Sequence, residues 1–268
     1  MIIDFHTHCF PDALAPRAMA ALKNNCEGSH ISAHTDGTAG GAKSLLTEAG
    51  IDGAVVCNIA TNARQQEKVN SFAISLLDDP FFHPLGSVHP DSEMIEAELD
   101  RLLAAGIRGV KLHPDYVGIE LSDKRYDRIF SLLCERGMFT VIHTGFDPVS
   151  PDKIHATPKM LHAVLDAHKD LKLVAAHMGG FNMSEGVLSH LAGSGIYLDT
   201  SLSSLRPTEK ENLYKILECH DPDRILFGTD TPWSNPKEEI AFIKCAPISD
   251  GVKEKIFSEN AKALLGIS

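Results

Sequence analysis

Amphipathic stretches and short apolar runs alternate along almost the whole chain. Leu45, Leu46 and Ala49 recur at helical spacing, reach Gly50, and give way to Gly53-Ala-Val-Val-Cys-Asn58. Ile95, Leu99, Leu102 and Leu103 lead through Gly106 to Arg108-Gly-Val-Lys-Leu-His113. Tyr126, Ile129, Phe130 and Leu133 lead through Gly137 to Phe139-Thr-Val-Ile-His143. Each first set places its apolar residues on one helical face, and each glycine suits a left-handed helix C-terminus. Each following run has strand composition. Helix starts are marked as well: Ser92 and Ser122 are candidate N-caps, Thr157-Pro158 reads as N-cap and N1, and Thr208 with Glu211 fits a capping box.

The same pattern predicts eight strands, near residues 2–8, 53–58, 82–89, 108–113, 139–143, 172–177, 196–200 and 225–230. Eight alternating units in 268 residues, about 33 residues each, predict a (β/α)8 TIM barrel, an α/β fold of one domain over residues 1–268. A doubly wound open sheet is the alternative, but no glycine-rich phosphate loop follows the first strand. The longest irregular stretch, residues 9–40, is predicted to be a loop insertion over the barrel mouth. It holds a short helix over Ala15–Asn24 and a small polar piece from Glu27 to Gly41.

Composition narrows the partners. At 43% hydrophobic and 23% charged, the chain can bury a sizeable core. A net charge of −11 argues against nucleic acid or an anionic membrane as partner, which leaves a small-molecule substrate. A homo-oligomer is compatible with a barrel but not readable from sequence. No run approaches the roughly 18 apolar residues of a membrane span. Met-Ile-Ile-Asp-Phe-His at the start lacks the basic region of a signal peptide. Six cysteines without Cys-x-x-Cys spacing read as reduced thiols, so a cytoplasmic location is expected.

The fourteen histidines are placed unevenly. His6 and His8 end the first predicted strand, His113 the fourth, His143 the fifth and His177 the sixth, while Asp230 ends the eighth. In an α/β barrel the C-terminal strand ends form the mouth that carries the active site, so these side chains are expected to converge. Residues i and i+2 of a strand share a face, which puts both imidazoles of His6-Thr7-His8 side by side. A divalent cation is the usual resolution for such a pair. Asp230 is then a ligand, a general base, or both. A catalytic metal lowers the pKa of its water from 15.7 to about 7, and a carboxylate beside that water can take its proton. His177 would polarise a carbonyl, orient the water or bind a second metal.

Lys111 and His113 also share a face and are candidate substrate contacts. Lys111 suits a substrate carboxylate or, once carbamylated, a bridge between two metals. Trp233, just past Asp230, is a candidate pocket wall. Asp4 lies deeper on the His6 face and reads as a structural carboxylate, and His89 as a rim residue or a substrate contact. His30, His34, His155, His162, His168, His190 and His220 fall in loops or helices and are expected to be solvated, with only His34 near the mouth.

Ile3-Asp-Phe-His-Thr-His8, Gly109-Val-Lys-Leu-His-Pro114, Val141-Ile-His-Thr144, Ala176-His-Met-Gly-Gly180 and Leu226-Phe-Gly-Thr-Asp-Thr-Pro-Trp233, in that order, resemble the amidohydrolase superfamily. The nearest likeness is to its amidohydrolase 2 branch, which includes relatives of aminocarboxymuconate-semialdehyde decarboxylase. Phe257-Ser-Glu-Asn-Ala-Lys-Ala-Leu-Leu-Gly266 is similar to the closing helix of that branch. The resemblance implies a distorted barrel and one divalent metal, commonly zinc, with manganese as the alternative and a second metal less expected. By motif it maps the ligands to His6, His8, His143 and Asp230, and gives His177 the acid/base role.

Two departures bear on the chemistry. The chain is shorter than the decarboxylase members, which tilts the expectation toward hydrolysis of a small amide, lactone or ester, carboxylated, by metal-activated water. The strand-four lysine resembles the position carbamylated in binuclear members, yet its Lys-Leu-His-Pro setting is that of mononuclear ones. The glutamate of the neighbouring deoxyribonuclease branch is absent from Gly109–Pro114. Non-oxidative decarboxylation of an unsaturated or aromatic acid is the alternative chemistry, and a non-catalytic metal- or ligand-binding barrel the alternative class.

Overall fold

The structure, a computed structural model, describes residues 1–27 and 31–267, so His30 lies outside the described residues. Eight parallel strands follow one another around a single core. They are β1 (Ile3–Thr7), β2 (Gly53–Cys57), β3 (Phe82–Leu85), β4 (Gly109–Leu112), β5 (Phe139–Ile142), β6 (Lys172–Ala175), β7 (Tyr197–Asp199) and β8 (Ile225–Leu226). The ladders run β1-β2-β3 and β4-β5-β6-β7-β8. Backbone bonds join the two arcs on both sides. Gly86 N donates to Gly109 O at 3.0 Å and Lys111 N to Gly86 O at 2.8 Å, while Phe5 N donates to Phe227 O and Asp230 N to His6 O, each at 2.7 Å. The ring of strands is thereby closed as a (β/α)8 TIM barrel.

Alternation along the strands builds two apolar layers. Phe5, Val55, Leu85, Phe139, Val141 and Val174 fill the barrel interior, and Ala261 and Leu264 of the last helix, α12 (Asn260–Leu265), pack onto that cluster. Val56, Val110, Leu112 and Leu173 face outward to α2 (Ala39–Glu48), α4 (Ile95–Ala104), α6 (Arg125–Glu135) and their neighbours. Gly106 and Gly137 take φ of 92° and 63° just past α4 and α6, the left-handed conformation the sequence assigns them.

Caps follow the sequence only in part. Thr157 accepts from Met160 N ahead of α7 (Pro158–Ala167), as expected. Ser122 and Thr208 do not cap: α6 starts after Lys124 and α9 (Lys210–Cys219) after Glu209, neither with a side-chain cap, because a tight turn precedes each helix. Ser92 accepts from Met94 N one turn short of α4. The helix expected over Ala15–Asn24 is α1 (Ala15–Asn25).

Candidate metal centre

Four strand ends and one irregularity assemble the site. The β1–β2 register shifts between Asp4 and Thr7, which breaks the alternation on β1. Phe5 therefore faces the interior, and Asp4 leaves the face of His6 that the i, i+2 rule assigns to it. Its carboxylate instead accepts from His6 N at 3.0 Å, Thr7 Oγ1 at 2.8 Å, Thr229 N at 2.9 Å and Thr229 Oγ1 at 2.6 Å. This buried link ties β1 to the segment after β8, and burial pushes the Asp4 carboxyl up to about 7. Asp230 has φ of 68°, a left-handed conformation that aspartate tolerates better than most residues, and its carboxylate turns back toward β1.

Donor and acceptor roles can be followed outward from carbonyls and carboxylates, which only accept. His8 Nδ1 donates to Cys57 O at 2.8 Å, leaving the Nε2 lone pair 3.1 Å from Asp230 Oδ1. His6 Nδ1 donates to Asp199 Oδ2 at 2.8 Å, leaving Nε2 to face Asp230 Oδ1 at 3.3 Å and to accept from Lys111 Nζ at 3.0 Å. Ser201 Oγ gives its one proton to Asp199 Oδ1 and so accepts from His177 Nδ1 at 2.8 Å. The Nε2 of His177 consequently accepts from His143 Nδ1 at 3.0 Å. The Nε2 of His143 is buried without a hydrogen-bond partner.

These contacts leave an acceptor-lined floor. Ligand atoms of His6, His177 and Asp230 lie within 4.8 Å of one another, with His8 against the same carboxylate oxygen and His143 against His177. Three imidazole nitrogens and a carboxylate oxygen from three strand ends meet here, with Lys111 on His6 and His143 on His177 supplying the protons they accept, and this nitrogen and oxygen donor set is the kind that holds a divalent metal. The orphaned His143 nitrogen adds an acceptor that nothing in the described protein satisfies. Outer partners that fix each tautomer, Asp199 for His6 and the Cys57 carbonyl for His8, are what metal-ligating histidines require. Burial, with Lys111 and the neighbouring rings adding to it, holds His6 and His177 well below the usual histidine range, and burial raises Asp230 and Asp199.

Lys111 is fully buried at the base of the cavity, its Nζ on His6. His113 stacks on His143 at 4.1 Å, accepts from Tyr116 N through Nδ1 at 3.4 Å, and faces Asp147 Oδ2 through Nε2 at 3.4 Å. Asp147 also lies 3.6 Å from His143 Nε2. Those three residues form a second tight group, but the two rings are parallel to within 10°, so their in-plane lone pairs cannot converge on one ion.

Above the floor opens a cavity of about 770 Å³, lined among others by His8, Lys111, His113, His143, His177 and Asp230. Trp233 forms part of its wall. His89 is outside the cavity lining and closes a turn, its Nδ1 accepting from Asp91 N at 3.1 Å. His34 is exposed and reaches the mouth only through its backbone, which donates to Pro232 O at 2.8 Å. His162 and His190 are solvated as expected. His155 and His220 are not: His155 is buried on Asp115 at 3.0 Å, and His220 bridges Gly193 N and Ile196 O at 3.1 and 3.0 Å.

Sequence reasoning missed Asp199, Ser201, Asp147 and Arg206. Asp199 ends β7, so the strand-end rule applied to all eight strands finds it. Arg206 sits in the loop beyond, buried, and donates to His177 O and Gly180 O, each at 3.2 Å. It thereby clasps the turn that carries His177 and Met178 at φ of 58° and 57°. Burial, opposed by Glu209 and Glu239, lowers Arg206 to about 10.

A family model described as amidohydrolase matches residues 3–267. No curated protein matches the chain. Solved structures match its fold. An uncharacterized TIM-barrel protein from Bordetella bronchiseptica is 22% identical with a TM-score of 0.76, over 99% of this chain and 98% of that one. A probable 2-pyrone-4,6-dicarboxylic acid hydrolase from Acinetobacter baumannii is 17% identical at 0.67, over 99% of both chains. A 5-carboxyvanillate decarboxylase from Novosphingobium aromaticivorans, with bound manganese, is 15% identical at 0.71, over 100% of this chain and 97% of that one. No helix among the described residues is long and apolar enough to cross a membrane.

Proposed function

The chain belongs to the amidohydrolase family, and on that footing we propose that it is a metal-dependent hydrolase of a small amide, lactone or ester that carries a carboxylate. His6, His8, His143 and Asp230 would hold one divalent cation, zinc first and manganese second. Bound there, the cation supplies Lewis-acid polarisation of a carbonyl and a lowered pKa for water. Everything else falls to the protein. His177, anchored through Nδ1 to Ser201, would accept the proton that water loses on attack through Nε2, whose lone pair His143 Nδ1 occupies in this structure and would vacate on turning to the cation. Asp230, raised by burial, shares that proton and returns it to the leaving group. Lys111 and His113 offer a charge and a ring to the substrate carboxylate, and Trp233 walls the pocket.

The observation that carries this reading is the donor and acceptor pattern: every inward nitrogen of His6, His8 and His177 is an acceptor. Such a floor suits removal of a proton from water. A second reading, non-oxidative decarboxylation of an unsaturated or aromatic acid, is supported by the likeness to a decarboxylase fold with bound manganese. It asks for a proton delivered to carbon, where hydrolysis asks for one taken from water. The test is a panel of carboxylated lactones, esters, amides and aromatic acids, run with Zn2+, with Mn2+ and with chelator. Metal-dependent incorporation of solvent oxygen into the product is expected. Release of CO2 from the acids, without such incorporation, would transfer the assignment to decarboxylation.

A further inference from the structure

The cavity extends well beyond the histidine floor. Leu14, Ala18, Ala21, Leu22 and Asn25 all line it, at a spacing that traces one face of α1. Only Ala15 and Met19 of that helix are buried. From the opposite side come Gln65, Lys68, Val69 and Phe72, again one helical face, along α3 (Gln66–Ser75). The segment from Leu14 through α1 thus turns an apolar stripe, and α3 the apolar pair Val69 and Phe72 beside Lys68, toward a shared slot, and Leu14 is left 56% exposed. From Leu14 to Asn25 the lined face is about 16 Å long, at 1.5 Å per residue. The whole cavity, about 770 Å³, is in the upper part of the range of drug-sized ligand sites. Arg17 and Lys68, one on each helix, line the same slot in a chain whose net charge is −11.

We propose that the slot between α1 and α3 is a subsite for an extended apolar segment of the substrate, whose far end is anionic and meets Arg17 and Lys68. This rests on the floor being the reacting end, as the proposed function has it. The molecule it selects is an amphiphile: a polar reacting group on the histidines, a chain or fused-ring body along α1, and a second negative charge at the rim. Apolar surface that the described residues leave open at Leu14 and along the lined face of α1 is what such a body covers. The two cations give the far end its sign.

Trp233 is the only tryptophan in the chain and lines the cavity, so its fluorescence reports occupancy without any turnover. The probes are straight-chain α,ω-dicarboxylates and monocarboxylates of increasing length, titrated into the full chain. Kd for the dicarboxylates is expected to fall two- to about fourfold with each added methylene, the upper value being the 0.8 kcal/mol of one fully buried CH2. Ala21→Phe, at an exposed helix position, should stop that fall at a shorter chain. Arg17→Gln with Lys68→Gln should weaken the long dicarboxylates about fivefold, as for one surface ion pair, and leave monocarboxylates unchanged. A Kd independent of length, or a series unmoved by Ala21→Phe, overturns the subsite. A length series without turnover of any ester, lactone or amide leaves the subsite standing and removes the hydrolase. Turnover of short substrates with a flat series does the reverse.

Discussion

Asp199→Asn changes one atom and should disable the metal centre through His6. Asp199 Oδ1 accepts from His177 N and Ser201 N, each at 3.1 Å, and from Ser201 Oγ. Three donors therefore hold the amide oxygen of the variant at that position, and the new NH2 must take the place of Oδ2. There it faces His6 Nδ1 at 2.8 Å, donor against donor. The clash is relieved only if His6 moves its proton to Nε2, the atom aimed at Asp230. Loss of such an outer partner typically lowers metal affinity or activity 10- to 100-fold, about 1.4 to 2.8 kcal/mol. Competition against a chromophoric chelator measures the Zn2+ and Mn2+ affinities directly, and circular dichroism checks that the barrel is retained. Affinity within about twofold of the parent, in a folded Asp199→Asn protein, would refute the tautomer assignment and with it the acceptor pattern of the floor.

Three further outcomes are expected. His143→Asn should lose metal, whereas His177→Asn should retain it while losing at least about 100-fold in kcat, the usual share of a general base; metal analysis and kinetics separate the two. Burial pushes the Glu239 carboxyl up to about 8, with its Ser204 bonds opposing. The folded state then holds a proton that the unfolded chain releases above about 4.5, so stability falls as pH rises from there toward 8. Glu239→Gln should remove up to about 1.4 kcal/mol per pH unit of that decline, read from urea unfolding at pH 5, 7 and 9. Gly145 has φ of 94°, and a Cβ added there would run into the backbone of Phe181, where Phe181 N donates to Thr144 O at 2.8 Å. Gly145→Ala must part the loops that carry His143 and His177, at about 3 kcal/mol and a Tm lower by about 6 °C or more in a thermal melt.

Periodicity carried the fold because both of its signals are local. Apolar runs ending in His113, His143 and His177 lie within a residue or two of the observed strands, and the glycines after the helices take the left-handed conformations expected of them. Where the observed strand is shorter than its apolar run, a neighbour takes the backbone. Residues 227–230 extend the apolar run of β8 but bond to β1, through Phe5 N to Phe227 O, and Asp230 has already left extended geometry. His155 and His220, expected in solvent, are buried because their partners, Asp115 and Ile196, lie 40 and 24 residues away, beyond any local pattern. Asp4 leaves the face that a two-residue period assigns it because the β1–β2 register shifts between Asp4 and Thr7. Of the site, the histidines and Asp230 were legible because strand ends are. Asp147 and Arg206 were not, since they reach it from loops whose paths only packing decides.

Metal content of the chain purified without chelator tests the central claim most directly. About one equivalent of a divalent metal is expected, lost on Asp230→Ala and competed by protons as the histidine nitrogens protonate. Less than about 0.2 equivalents, with no activity or thermal stabilisation restored by Zn2+ or Mn2+, would contradict it.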